Sequence, residues 1–263
     1  AVNLQLEQSQ IFWSLILKVI QSPANLGLTN MGEGENQSHW NYWKRELLFY
    51  QSDILDHLPE GLRAPECYDV IEMPGDFGFL WLEDICDDFG GEWTLDRYAL
   101  TAFHLGRMNG IQLIENNQPV YPWLSLNRNH QWIDLLPNWK EVDWNHPLMR
   151  NRYPPESENS FKQMLMESDK FLDQLEQLPQ TFNHGDKYPT NFMSQKDENG
   201  NDQTIALDWA LMGSQPIGDD LSQFVFGVME KLSNIDRNEI LEKLLKEYQR
   251  GLQESGLKIN PLL

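Results

Sequence analysis

Val2, Leu4 and Leu6 alternate with Asn3 and Gln5 at the start of the chain, the period of two that a half-buried strand requires. A denser apolar run, rich in Ile, Leu and aromatic residues, follows over residues 11–20 and reads as one buried strand with Lys18 inside it. After Pro23 and a polar, glycine-containing link, Ser38 is placed to cap a helix running to about residue 58, where Pro59 and Gly61 stop it. Trp40, Trp43, Leu47, Tyr50 and Leu55 recur along it at roughly helical spacing, with Glu46 beside the stripe. Residues 68–73 and 78–82 then read as two strands joined by Pro74-Gly75-Asp76.

Beyond that point the period changes to helical. Thr94 can cap a helix carrying Leu95, Tyr98, Phe103, Leu105, Met108 and Ile111. A second helix is expected over residues 160–178, with Phe161, Met164, Leu165, Phe171, Leu172 and Leu175 on one face and Pro179 as its stop. Asn199-Gly200 between two short apolar runs signals a tight hairpin. Asp219-Asp220-Leu221 opens another apolar helix, and an amphipathic one closes the pattern over residues 236–252.

Composition narrows the class. With 263 residues, 40% hydrophobic and 11% aromatic, the chain is long and apolar enough for a substantial core. Its formal charge of −20 would be repelled by a phosphate backbone, which argues against nucleic acid as a partner. The same charge can draw in cationic substrates, or simply keep the protein dissolved. Cys67 and Cys86 are the only cysteines, too few for a disulfide framework or a cysteine-rich zinc site, so a reducing cytoplasm is the default expectation. The run at 11–20 falls well short of the roughly 20 residues that span a bilayer, and lacks the basic flank and cleavage site of a signal peptide, so no membrane association is expected.

Candidate chemistry concentrates in His184-Gly185-Asp186-Lys187-Tyr188-Pro189-Thr190-Asn191 and in Ile205-Ala206-Leu207-Asp208-Trp209. The Asn-Gly hairpin between them would bring Asp186 and Asn191 close to Asp208. Three hard oxygen ligands arranged so suit Mg²⁺ held against phosphates, since that ion takes few protein carboxylates and leaves room for substrate oxygens. The plainer alternative is a hairpin whose Asp and Asn side chains only cap turns.

The spacing H-x-D-x-x-x-x-N followed by an Asp matches the phosphoryl-transfer arrangement of protein kinases, with Asp208-Trp209-Ala210 standing where D-F-G would be. In its His-Gly-Asp and Asp-Trp form the motif resembles the aminoglycoside phosphotransferase and choline kinase-like family of small-molecule kinases. That resemblance implies an α+β, bilobal protein-kinase-like fold, with a small antiparallel-sheet lobe over residues 1–82 and a larger, mainly helical lobe over 83–263. It implies ATP and Mg²⁺ as cofactors, Asp186 as the base that orients the acceptor hydroxyl, and Asn191 and Asp208 as metal ligands. Lys18 becomes the strand lysine that grips nucleotide phosphates, braced by Glu46, although an edge-strand lysine reaching outward to solvent is the alternative. Glu83-Asp84-Ile85 falls where the family binds adenine through the backbone, by the Glu83 carbonyl and the Ile85 amide. An Asp at the position of Asp220 supports the catalytic loop in that family, and His184 orients it.

Some features depart from the pattern. Residues 1–17 hold no glycine, so the phosphate-covering loop that should precede Lys18 is expected ahead of Ala1 rather than degenerated. Gly32-Glu33-Gly34 follows the lysine strand and carries carboxylates, so it reads as an exposed connection. Lys187 stands where the family favours an apolar or small residue; it could favour the ionised base, but a solvent-pointing side chain is the preferred reading. The segment 118–155 is rich in tryptophan and tyrosine, and either walls an acceptor pocket by cation–π contact or pins a long connection onto the core, the reading preferred here. The function expected is ATP-dependent phosphorylation of a hydroxyl on a small, possibly cationic molecule such as an aminoglycoside, amino alcohol or sugar. The alternative is a non-catalytic nucleotide-binding protein that keeps the fold. A protein kinase fits less well, because the short 208–216 interval leaves no room for an activation segment.

Overall fold

The computed structural model describes residues 2–6, 9–27, 35–115, 118–135 and 142–258. The small first half is built of strands. β1 (Val2–Leu6) and β2 (Ser9–Trp13) pair antiparallel, with Leu6 opposite Ser9. β3 (Leu15–Gln21) starts beyond Ser14 and joins a different sheet, antiparallel to β6 (Phe77–Glu83), which pairs on its other side with β5 (Cys67–Met73). The run at 11–20 is therefore two strands of two sheets, not one buried strand. Its Leu17 and Val19 stay 44% and 54% exposed on the outer face. Lys18 lies opposite fully buried Leu80 and so shares the inner face, which rules out the solvent-reaching alternative.

The helix expected from Ser38 is much shorter. α1 covers only Arg45–Tyr50, and a 3-10 turn, Asp53–His57, follows it. The reason lies in the backbone carbonyls ahead of it. Those of Gln37, His39 and Trp40 all accept from the Arg45 guanidinium, so residues 36–45 close three-residue turns such as His39 N to Asn36 O instead of helical bonds. Gly32-Glu33-Gly34 lies outside the described residues.

The second half is mainly helical. α2 (Leu95–Glu115) and α8 (Arg237–Glu254) form its spine, with α7 (Asp219–Lys231) beside them. α3 (Arg128–Leu135) and α4 (Pro147–Arg152) structure the aromatic segment. The single helix expected over 160–178 is two, α5 (Ser157–Met166) and α6 (Ser168–Glu176), because the Ser168 hydroxyl donates to the Leu165 carbonyl and turns the chain at Glu167. Only Leu165 and Leu172 of its predicted face are buried. β4 (Leu62–Arg63) pairs parallel with β9 (Asp202–Ala206), which forms the expected hairpin with β8 (Phe192–Lys196) across Asn199-Gly200. β7 (Gln180–Asn183) pairs with β10 (Gly213–Pro216). The whole is α+β, as expected. Among the described residues no helix is long and apolar enough to cross a membrane.

Two glycines set the spine. A Cβ on Gly106 would lie 2.1 Å from the Tyr248 carbonyl oxygen, and one on Gly251 would lie 2.1 Å from that of Phe103, so α2 and α8 touch backbone to backbone. This closeness lets Tyr248 Oη donate to Asn109 Oδ1 at 2.6 Å, while Asn109 Nδ2 holds the Phe182 carbonyl of β7 at 2.9 Å. The spine thus reaches the strand that leads into the His184 loop. Gly106→Ala should force the helices apart and lower the unfolding free energy by about 1–3 kcal/mol or more. An unchanged denaturant midpoint would contradict this close packing.

Candidate active site

β7 delivers His184-Gly185-Asp186 to the middle of the molecule, and three contacts fix the turn there. The buried His184 ring packs edge-on to Trp209, with centroids 4.5 Å apart, and its Nε2 donates to the Leu207 carbonyl at 2.8 Å. Burial lowers its pKa to about 4, so the ring is neutral near pH 7. Gly185 sits at φ 92°, and a Cβ there would meet the Leu211 carbonyl oxygen at 2.1 Å. The Asp220 carboxylate, at the start of α7, accepts from the His184 and Gly185 backbone amides at 3.2 and 3.3 Å. Asp220 is placed to brace the loop, as the resemblance implied.

The β8–β9 hairpin supplies the other members. Asn191 precedes β8 and Asp208 follows β9; the Leu207 amide donates to the Asn191 carbonyl at 2.8 Å, and Asn191 Nδ2 donates to the Asp186 carbonyl at 3.1 Å. Asp208 takes the left-handed conformation, φ 59°, uncommon for any residue but glycine and a mark of a conformation its surroundings impose. Lys18 Nζ lies 2.5 Å from Glu46 Oε2 and 2.9 Å from Asp208 Oδ1, and Glu46 Oε1 accepts from the Trp209 amide at 3.3 Å. The expected Lys18–Glu46 pair therefore forms although the helix that carries Glu46 is short.

Lys18, Glu46, Glu83, Ile85, Asn191 and Asp208 line one cleft of about 320 Å³, together with apolar Ile16, Leu82, Met193 and Leu207. Asp186 is half-buried on the adjoining loop. Burial and then Asp208 raise its pKa, against Asn191, Arg128 and Lys187. Burial alone would lower the Lys18 pKa, but Glu46 and Asp208 outweigh it and hold the ammonium above its usual value. The oxygen donors of Asp208 and Asn191 are the hard type that Mg²⁺ takes, and the Asp208 carboxylate, 42% exposed, already has a cation against it in the Lys18 ammonium.

Lys187 corrects the solvent-pointing expectation. It is 2% exposed and ion-paired with Asp219, whose Oδ2 also accepts from Arg128 Nη2 at 2.6 Å. Burial would raise the Asp219 pKa, but Lys187 and Arg128 reverse that and hold it low. Arg128 goes on to donate to the carbonyls of Gly185 and Leu211, at 2.9 and 3.2 Å. Arg63 grips the Glu83 carboxylate with both terminal nitrogens, at 2.6 and 3.1 Å, which gives that side chain a structural task. None of these partners was visible in the sequence, where a lone Arg carries no pattern. The Asp219-Asp220 doublet was the one available signal. In the aromatic segment Trp123 is core and Trp132 stacks under Arg128, 5.2 Å from its guanidinium carbon, in keeping with a pinning role; Trp139 lies outside the described residues.

Comparison with known proteins bears on the fold. The ecdysteroid kinase-like family model matches residues 136–260, just under half of the chain. Among solved structures, an amicoumacin kinase in complex with AMP-PNP and Ca²⁺ is 16% identical over 94% of this chain and 68% of its own, with a TM-score of 0.53. Choline kinase LicA from Streptococcus pneumoniae is 13% identical over 98% and 83%, at 0.46, and an aminoglycoside phosphotransferase is 13% identical over 97% and 80%, at 0.42. No curated protein matches the sequence. The fold is the protein-kinase-like one shared with the amicoumacin kinase, as the resemblance drawn from the His-Gly-Asp motif implied.

Asp220→Asn tests the loop brace. One of the two backbone amides would then face an NH₂ group, costing about 1–3 kcal/mol. The Asp220 pKa rises from 3.8 to about 6 on folding, chiefly through burial, so the folded state takes up a proton between those values. The stability this supplies is full below pH 3.8 and is lost as the pH rises through about 6. The advantage of the parent over Asp220→Asn should therefore shrink from pH 4 to pH 7 in urea titrations. A difference that grows over that range would contradict the assignment.

Proposed function

We propose that this chain is an ATP-dependent phosphotransferase that moves the γ-phosphate to a hydroxyl of a small molecule. The observation that carries the reading is the Lys18 ammonium between Glu46 and Asp208, in a cleft that also holds Asn191 and the hinge. Lys18, braced by Glu46, would hold the α- and β-phosphates. The Glu83 carbonyl and Ile85 amide would bind adenine, with Ile16, Leu82, Met193 and Leu207 as the apolar lining around the base. Asn191 and Asp208 would hold Mg²⁺, which when bound neutralises charge on the transferring phosphoryl group. The same hinge is proposed as the boundary between a nucleotide lobe, 1–82, and an acceptor lobe, 83–263.

Asp186 would accept a hydrogen bond from the acceptor hydroxyl and take its proton as the new O–P bond forms and the bond to the β-phosphate oxygen breaks, leaving ADP. Its raised pKa suits a group that must take up that proton, and Asn191 holds its backbone in place. His184, neutral and donating to Leu207, orients the loop without entering the chemistry. The AMP-PNP and Ca²⁺ bound to the amicoumacin kinase support a nucleotide and a divalent cation here. Choline, ethanolamine and aminoglycosides in the names of structural neighbours, with the charge of −20, favour a cationic acceptor.

One observation favours a second reading, a nucleotide-binding protein without turnover. Residues 1–17, ahead of the lysine position, hold no glycine that could form a phosphate-covering loop. ADP release with Mg-ATP over a panel of amino alcohols, aminoglycosides and neutral sugars separates the two. The phosphotransferase should turn over at least one hydroxyl compound, and Asp186→Ala should lose about 10²- to 10⁴-fold in turnover with its melting temperature kept. Tight ATP binding with no ADP from any acceptor would instead establish the second reading.

A further inference from the structure

Arg45 is fully buried and has no carboxylate partner among the described residues. All five of its N–H donors go to backbone carbonyls. Nε donates to Trp123 O at 2.7 Å, Nη1 to Trp40 O at 2.7 Å and Ala210 O at 2.9 Å, and Nη2 to Gln37 O at 3.1 Å and His39 O at 2.5 Å. Its charged neighbour is Arg128, which repels it, and burial together with that repulsion brings its pKa down to about 10. A buried cation without a counter-ion is costly, so one kept here must do something that an apolar side chain could not. What it does is geometric. Five carbonyls from three separate stretches of chain converge on one planar fork.

One of those carbonyls matters most. Arg45 and Glu46 are consecutive on α1, and they hold consecutive residues of the loop after Asp208: Glu46 accepts from the Trp209 amide and Arg45 donates to the Ala210 carbonyl. Lys18 holds Asp208 itself. Phe49, one turn further along α1, stacks on Trp209 with centroids 4.6 Å apart. A helix of six residues cannot fix its own direction, and the left-handed backbone at Asp208 needs support from both sides.

We infer that Arg45 is a positioning residue that locks the helix carrying Glu46 to the loop carrying Asp208, so that the Lys18 bridge stands assembled before nucleotide arrives. This rests on the phosphotransferase reading for its consequence, the metal dependence of activity, but not for the lock itself. With the lock in place α1 has no swung-out state, and the site is permanently formed rather than switched. Lysine cannot replace the residue, since an ammonium has three donors for five carbonyls.

Hydrogen exchange on the nucleotide-free parent tests the lock directly. Residues 207–213 should be protected to the same degree as 45–50, because they open together; loop amides that exchange far faster than those of α1 would overturn the inference. In Arg45→Lys, loop protection should drop. The Mg²⁺ concentration for half-maximal ADP production should rise about tenfold, with kcat recovered at saturating Mg²⁺ and ATP affinity in EDTA within about twofold of the parent. A folded Arg45→Lys with parental exchange and parental Mg²⁺ dependence would overturn it too. If Arg45→Lys does not fold, the exchange pattern of the parent decides. If the parent itself neither binds nor uses Mg-ATP, the phosphotransferase reading fails, and exchange still decides the lock.

Discussion

One ammonium group holds the two halves of this protein in working relation. Lys18 comes from the strand-rich half, Asp208 from the far end of the hairpin, 2.9 Å from the shared cation, and Glu46 from a short helix between them, 2.5 Å from it. Bringing these charges together costs desolvation, which the pairing offsets only with good geometry and added hydrogen bonds. Glu46 is 2% exposed, and its second oxygen is satisfied by the Trp209 amide. Around this point the local structure bends to fit: Asp208 goes left-handed, and the chain ahead of α1 gives up helix so that its carbonyls can meet Arg45.

The larger half supplies rigidity of a different kind. Backbone contact through Gly106 and Gly251 lets a polar ladder run from Tyr248 through Asn109 to β7, and from there to the His184 loop. Behind the loop, Asp219 and Asp220 divide the work. Asp220 accepts from the amides of His184 and Gly185, while Asp219 collects Lys187 and Arg128, the second of which returns to the Gly185 carbonyl. Gly185 thus has both its N–H and its C=O satisfied by side chains that reach it from α7 and α3. Such buried networks rigidify, and the same low dielectric makes the atoms left without a partner, Arg128 Nε and His184 Nδ1, expensive.

How much of this was legible depended on whether the chemistry left a local pattern. The loop, the Asn-Gly hairpin and Asp208 are close in sequence and could be read as one unit. Glu46 was found although its helix was drawn far too long, because the apolar stripe marks the buried face however many turns actually form. The limits of α1, the split of 11–20 into two strands and the break at Glu167 were not legible. The first two are decided by a side chain or a sheet partner outside the run itself, as Arg45 decides the first, and the third by the Ser168 hydroxyl, which mid-helix carries no stop signal. Lys187 was misread for the same reason: a lysine beside an acid reads as solvated unless its partner, 32 positions on, is known to be underneath it. Arg128 and Arg63 left no trace at all, since a single arginine has no period and no spacing.

The sequence ahead of Lys18 bears on how phosphates could be held. Residues 1–17 hold no glycine, so no glycine amides precede Lys18 in this sequence to cover them. On the proposed reading the burden of holding the phosphates would fall on cations. Lys18 is the cation that the cleft lining provides, and it is shared with two carboxylates. On the proposed reading a nucleotide phosphate would compete with Asp208 for it, and a metal ion at Asp208 would release it. Nucleotide and metal would then be coupled through one ammonium, each making room for the other. That coupling is only as sharp as the placement of Asp208 relative to Lys18, which returns the demand to the buried contacts beneath the loop.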